Sequence, residues 1–187
     1  MKNNILIIVC VALTSISCKA QSILPVEKLV DYRNSNEGIP ESVTYVKDIN
    51  GLLNKYVGTW IGTYQGKNYE FRVKKIRDDS FGVSIDELEI SYIIKDSSRK
   101  IIEDTTKPNS GTYIIGAYLA KNKHHYVLNY YGTKGDCGQN GDVFISVLNR
   151  DSNKMWLKLS VDGEMSEDCT AYAGQVLPTD GIILTKQ

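Results

Sequence analysis

The chain has 187 residues, of which 42% are hydrophobic, with 22 Lys plus Arg balancing 22 Asp plus Glu. That balance excludes the basic face that nucleic acid or an anionic lipid surface demands, and the apolar share suits a chain that buries one core. Tyrosine is the departure, at 12 against 3 Phe and 2 Trp, and a tyrosine ring packs well on a pleated strand while its hydroxyl stays wet.

The chain opens on Met1–Asn4, with one positive charge at Lys2, and continues into the apolar run Ile5–Leu13. This length suits the hydrophobic region of an export signal and is too short to span a bilayer. Thr14–Ser17 then turn small and polar ahead of Cys18. Two processing routes follow. If Ser15-Ile16-Ser17-Cys18 is a lipobox, residues 1–17 leave and Cys18 becomes the acylated start of a lipoprotein. If Cys18-Lys19-Ala20 is a small-x-small site, residues 1–20 leave and the protein is released before Gln21. The expected location is the outer membrane or periplasm as a lipoprotein, the alternative a soluble periplasmic or secreted protein. Under either route the mature chain keeps Cys137 and Cys169, a pair that an oxidising compartment joins as a disulfide; two buried free thiols are the alternative.

Residues 18–47 show no lasting period and contain Pro25, Gly38, Pro40 and the run Asn34-Ser35-Asn36-Glu37, so they are predicted to be a tether or irregular arm. Asp48–Tyr56 predicts a short helix, capped by Asp48 or Asn50 with Leu52, Leu53 and Tyr56 as its apolar stripe. From there the period is two. Strands are predicted at Thr59–Tyr64 and, after a turn at Gln65–Asn68, at Tyr69–Asp78. Phe81, Val83 and Ile85 alternate on odd numbers and Leu88, Ile90, Tyr92 and Ile94 on even ones, which predicts a bulge or break near Asp86-Glu87. A short segment at Lys100–Glu103 precedes strands at Tyr113–Ala120, His125–Tyr131, Asp142–Asn149, Lys154–Val161 and Ile182–Lys186.

Eight or nine short strands joined by turns predict an all-β domain over residues 48–187. It is an antiparallel up-and-down meander closed as a barrel, or alternatively a β-sandwich. In a meander the loops at Cys137 and Cys169 are two strands apart and lie at one end, so a bridge between them is sterically sensible. Its ~33-residue loop is worth about 3–4 kcal/mol on the chain-entropy estimate.

Two resemblances bear on this reading. With its Cys18-Lys19-Ala20-Gln21 start, its Tyr56-Val57-Gly58-Thr59-Trp60 segment and its Leu184-Thr185-Lys186-Gln187 end, the chain resembles a family of short exported proteins of Bacteroidota whose function is unknown. More locally, a short helix running into Gly58-Thr59-Trp60 is similar to the Gly-x-Trp opening of lipocalins and related calycin barrels. That resemblance implies an eight-stranded barrel, with Gly58 permitting a tight turn into the first strand and Trp60 plugging the closed end. The chain departs from lipocalins late, where an arginine covers the tryptophan and this sequence offers only Lys186, and it lacks their Thr-Asp-Tyr motif.

Candidates for chemistry are thin. His124 and His125 are the only histidines, and as strand neighbours they point to opposite faces. Asp162, Glu164, Glu167 and Asp168 crowd one loop without the spacing of a calcium hand, and read as a solvated turn. Gly132, Gly135, Gly138 and Gly141 shape a long loop with no following helix to hold a phosphate. Glu87 and Glu89 read as solubilising carboxylates. Neither a nucleophile elbow nor a zinc-protease motif is present. No catalytic residue, metal ligand or cofactor is therefore assigned, and no ligand-binding residue is named. The expected function is that of a non-catalytic barrel binding a small apolar or aromatic molecule, with Tyr64, Tyr69, Tyr113, Tyr118, Tyr126 and Tyr130 as possible anchors. The alternative is an envelope module with a filled core that docks a partner protein. The expected contact with the membrane is through the lipid on Cys18, and no nucleic-acid partner is expected. The interior decides between the two: a packed barrel is a core, an open one a pocket.

Overall fold

A computed structural model describes residues 22–33, 35, 37–80, 82–108 and 110–187. The segment expected to direct export and Cys18 lie outside the described residues, and among those described no helix is long and apolar enough to cross a membrane. Eleven strands follow one another: β1 (Ser22–Pro25), β2 (Val43–Lys47), β3 (Gly58–Tyr64), β4 (Lys67–Asp78), β5 (Ser84–Lys95), β6 (Ile101–Asp104), β7 (Tyr113–Leu119), β8 (Tyr126–Tyr131), β9 (Asn140–Leu148), β10 (Asp151–Val161) and β11 (Ile182–Lys186). Among the described residues there is one α-helix, α1 (Leu29–Arg33), and it is short.

Eight of the strands close a barrel in the order β5-β4-β3-β11-β10-β9-β8-β7, and β7 returns to β5. Every neighbour pair in this ring is antiparallel. The β3–β4 hairpin turns on two residues, Gln65 and Gly66, with φ of 47° and 73°. Two consecutive left-handed residues make the turn whose twist matches the strands it joins. Alternation fills the interior: Trp60, Phe71, Leu88, Tyr92, Leu128, Val143, Ile145, Met155, Leu157 and Leu184 are all 0% exposed.

The ring is unevenly sealed. β4 and β5 pair along their length, from Asn68↔Lys95 to Asp78↔Ile85, whereas β5 and β7 share a single paired position, Glu89↔Ile115. The remaining edge of β5 is satisfied piecemeal, as an exposed strand edge requires. β2 pairs parallel to Ser84 and Ile85, and β6 pairs with Ile93–Lys95. In between, the Leu88 amide donates to the Tyr126 hydroxyl at 3.3 Å and the Tyr92 amide to Thr105 Oγ1 at 2.8 Å.

Three expectations need correction. Residues 22–47 are not irregular: they hold β1, α1 and β2, with β1 parallel to β2 and β2 parallel to β5. Parallel pairing across a crossover leaves no hairpin signature in the sequence. Asp48–Tyr56 is a capped turn rather than an α-helix. The Asp48 carboxylate accepts the amides of Leu52 and Leu53 at 2.7 and 3.1 Å and meets Lys75 at 3.2 Å, and only Asn54–Tyr56 wind into a 3-10 turn. Finally, β5 pairs with β4 without a register shift, so no bulge sits at Asp86-Glu87. The apparent change of phase arises because Ile85 packs under the arm, beside Leu29, Tyr32 and Ile39.

Candidate functional site

Gly58, Trp60 and Lys186 come together at one end of the barrel. Trp60 is 0% exposed, and its indole Nε1 donates to the Tyr56 carbonyl at 2.7 Å. Lys186 Nζ stands 5.2 Å from the Trp60 ring centre, a cation over an aromatic face. Gly58 has φ of 137°, and a Cβ there would lie 2.8 Å from Lys186 Cε. The glycine therefore leaves room for the lysine stem as well as permitting the backbone turn. Lysine occupies the place where the calycin resemblance implies an arginine. Leu53 and Tyr56, both 0% exposed, complete this closed end, and the Tyr56 hydroxyl donates to the His124 carbonyl at 3.1 Å.

The opposite end is closed too. Cys137 and Cys169 form a disulfide with Cα atoms 5.4 Å apart. It pins the 162–181 segment to the glycine-rich loop, reinforced by the Ser166 amide on the Asp136 carbonyl and the Ala173 amide on the Cys137 carbonyl, both at 2.8 Å. That segment folds across the mouth. Tyr69 Oη donates to the Val176 carbonyl at 3.0 Å, Gln139 Nε2 to the Gly174 carbonyl at 2.6 Å, and Leu177 is 3% exposed.

The barrel is filled between these ends. Interior side chains with no surface that water can reach have no water-sized void against them, which is the packing of a protein core rather than of a carrier cavity. The tyrosines divide accordingly. Tyr69, Tyr126 and Tyr130 are buried, Tyr113 is 50% exposed on the outside, and Tyr64 and Tyr118 are half-buried. Burial pushes the Tyr69 hydroxyl up to about 12, so this phenol stays neutral and serves as a donor to the covering segment.

The outside carries the better candidate. Across β7, β8, β9 and β10 runs an open groove of about 410 Å³ walled by Tyr118, His125, Val127, Phe144 and Trp156, with Lys158 at its rim. Register builds it. Met155, Leu157 and Leu159 of β10 point inward, so Trp156 and Lys158 point outward, and Val127 pairs with Phe144, which pairs with Lys158. The His125 ring meets Trp156 edge-on, 6.3 Å between centres and at 84°. Gly181 lies under the indole, where a Cβ would be 2.6 Å from Trp156 Nε1, and Arg33 of α1 stacks on the Tyr118 ring at 4.5 Å. The wall is aromatic and half-buried, suited to a flat apolar group covered on one side.

The histidines share no site: His125 lines this groove and His124 is exposed in the preceding turn. Asp162, Glu164, Glu167 and Asp168 are exposed, and among the described residues no three His, Cys, Asp or Glu side chains converge as a metal shell requires. Gly141 is held by backbone, since a Cβ would stand 2.1 Å from the Ser160 carbonyl oxygen. Trp156 and Phe144 went unmarked by motif, although the sequence carried a signal for Trp156: the largest side chain of its strand occupies the register its neighbours leave to solvent.

A family model described as a family of unknown function (DUF6705) matches residues 1–187. No curated protein and no solved structure matches the chain.

Proposed function

The chain belongs to that family of unknown function, and from this premise we propose that it is an exported, lipid-anchored envelope module that binds through the outside of a filled barrel. The occupant of its outer groove is an apolar or aromatic group presented by an envelope partner. One observation carries the reading: the interior is packed with buried side chains while the Tyr118–Phe144–Trp156 groove stays open. Export is supported by Lys2 and the Ile5–Leu13 run, and by a disulfide that persists in oxidising compartments. Anchoring is supported by the small residues ahead of Cys18, and the arm from Cys18 to β1 is short enough to hold the barrel near the surface it is anchored to.

The groove can be read optically. Trp60 and Trp156 are the only tryptophans, so Trp60→Phe leaves Trp156 as the sole indole and reporter. Saturable change in its fluorescence with aromatic and apolar probes, including short aromatic peptides, is the expected result. Phe144→Ala weakens that binding about tenfold, the loss of about 1.4 kcal/mol of contact. A Trp156 signal indifferent to every probe refutes the groove. Cys18→Ala moves the protein from the membrane fraction to the soluble one, and a wild-type chain that begins at Gln21 without lipid refutes the anchor.

A further inference from the structure

A second groove, of about 590 Å³, opens on the outer face where β5 meets β7, lined by Asp78, Glu87, Tyr113, Ile115, Gly116 and Asn129. Glu87 is the unusual member. It points out of the barrel, in the register opposite to Leu88, yet is only 7% exposed, and its Oε1 has no hydrogen-bond partner. A buried carboxylate without a partner is costly, and native structures rarely tolerate one without a use. Its place is made for it: a Cβ on Gly116 would lie 2.6 Å from Glu87 Cβ and 3.2 Å from Oε2. Among the described residues no ion pair reaches Asp78, Glu87 or Glu89, although Lys74 stands opposite Glu89 in the β4–β5 register. The carboxylates of the groove thus stand without an ion-pair partner.

We propose that this groove binds a primary alkylammonium group, its charge seated on Glu87 with Asp78 beside it and its methylenes along Tyr113 and Ile115. An ammonium offers three donors and no acceptor, which suits the carboxylates and the Asn129 side-chain carbonyl. The Tyr113 ring, exposed and stacked on Tyr131 at 5.4 Å between centres, adds an aromatic wall of the kind that attracts organic cations. A divalent metal fits less well, because two carboxylates and apolar walls do not make an oxygen shell. The site lies outside the Trp156 groove, and the proposal stands independently of what that groove binds.

Binding is linked to protons. Burial, then Asp78 and Glu89, push the Glu87 carboxyl up to about 7. The other groups around it are Lys74 on β4, the Tyr126 phenol on β8, itself pushed up by burial, and Tyr113 on β7. An alkylammonium stays charged to well above pH 9, so the carboxyl is the group whose ionisation sets the affinity in this range.

Isothermal titration of the mature protein with 1,5-diaminopentane, with Nα-acetyl-lysine amide and with its Nε-acetylated form tests the site. The expected result is saturable binding of one or both amines, none of the acetylated form, and affinity about tenfold or more higher at pH 8.5 than at pH 5.5. Binding of diaminopentane alone identifies a free amine as the ligand; binding of the lysine amide as well identifies a lysine side chain. Glu87→Gln, nearly isosteric and checked for native near-UV circular dichroism, weakens binding about tenfold or more, whereas Phe144→Ala, in the other groove, changes it less than about threefold. Equal binding by Glu87→Gln and wild type, equal binding of the acetylated compound, or no binding of either amine overturns the proposal.

Discussion

Replacing Glu87 by glutamine is expected to stabilise the protein at alkaline pH and leave it unchanged in acid. The folded carboxyl titrates at about 7 against an ordinary 4.5, so between those values the folded protein holds a proton that the unfolded chain has released. Below pH 4.5 both states are protonated and the group contributes nothing. As pH rises through the window, the folded state loses stability by about 1.4 kcal/mol per pH unit. The ceiling is therefore about 3 kcal/mol, and about 2 kcal/mol is expected because one side of the carboxyl faces an open groove. Glutamine keeps the shape and carries no charge, so it removes this penalty at every pH. In urea, where small domains have slopes of about 1–3 kcal/mol/M, a gain of that size moves the midpoint upward by about 1 M at pH 8.5. At pH 4.0 the two midpoints coincide. A variant less stable than wild type at pH 8.5, or an equal difference at both pH values, refutes the reasoning.

Trp60→Ala is expected to cost about 3–5 kcal/mol in denaturant titration, the usual loss for a large buried aromatic, with about 1 kcal/mol more from the stranded Tyr56 carbonyl. Lys186→Met keeps the stem over the indole and removes only the ammonium, so its cost is about 0.5–1 kcal/mol; a larger loss means that Lys186 has another partner. Exchanging both Cys137 and Cys169 for serine is expected to cost about 3 kcal/mol by the same titration.

What the sequence made legible was what period and local chemistry encode. The strands from Thr59 to Lys186 follow alternation, and the disulfide follows from two cysteines left over. The Gly58–Trp60 turn follows from residue types that few other sites require. Long-range pairing was hidden. Nothing at Val43–Lys47 says that this strand runs parallel to the start of β5, and that pairing is why Ile85 is covered on the outside. Glu87, paired with Glu89 two positions on, reads as a solubilising carboxylate of an exposed face. Its burial depends on Gly116, 29 positions further along, and no local pattern ties the two together. Trp156 could have been found by asking which face Met155, Leu157 and Leu159 leave to it. Whether the barrel was hollow could not, because the answer lies in how Leu177 and Val176 fold over Tyr69.

A cylinder with one short seal does not loosen evenly. Local opening, of the kind that amide hydrogen exchange detects, starts where the fewest backbone bonds must break, and here that is the line between β5 and β7. Parting it frees the Tyr126 hydroxyl from the Leu88 amide and turns the ring into a curved open sheet with two unpaired borders. Such borders are templates for another chain, so two copies opened along this line can exchange halves and close again as an intertwined pair. The arm strand β2 and the short β6 stand at either side of the gap on β5. They shorten the border that opening exposes, and so the length of strand on which a second copy can start to pair.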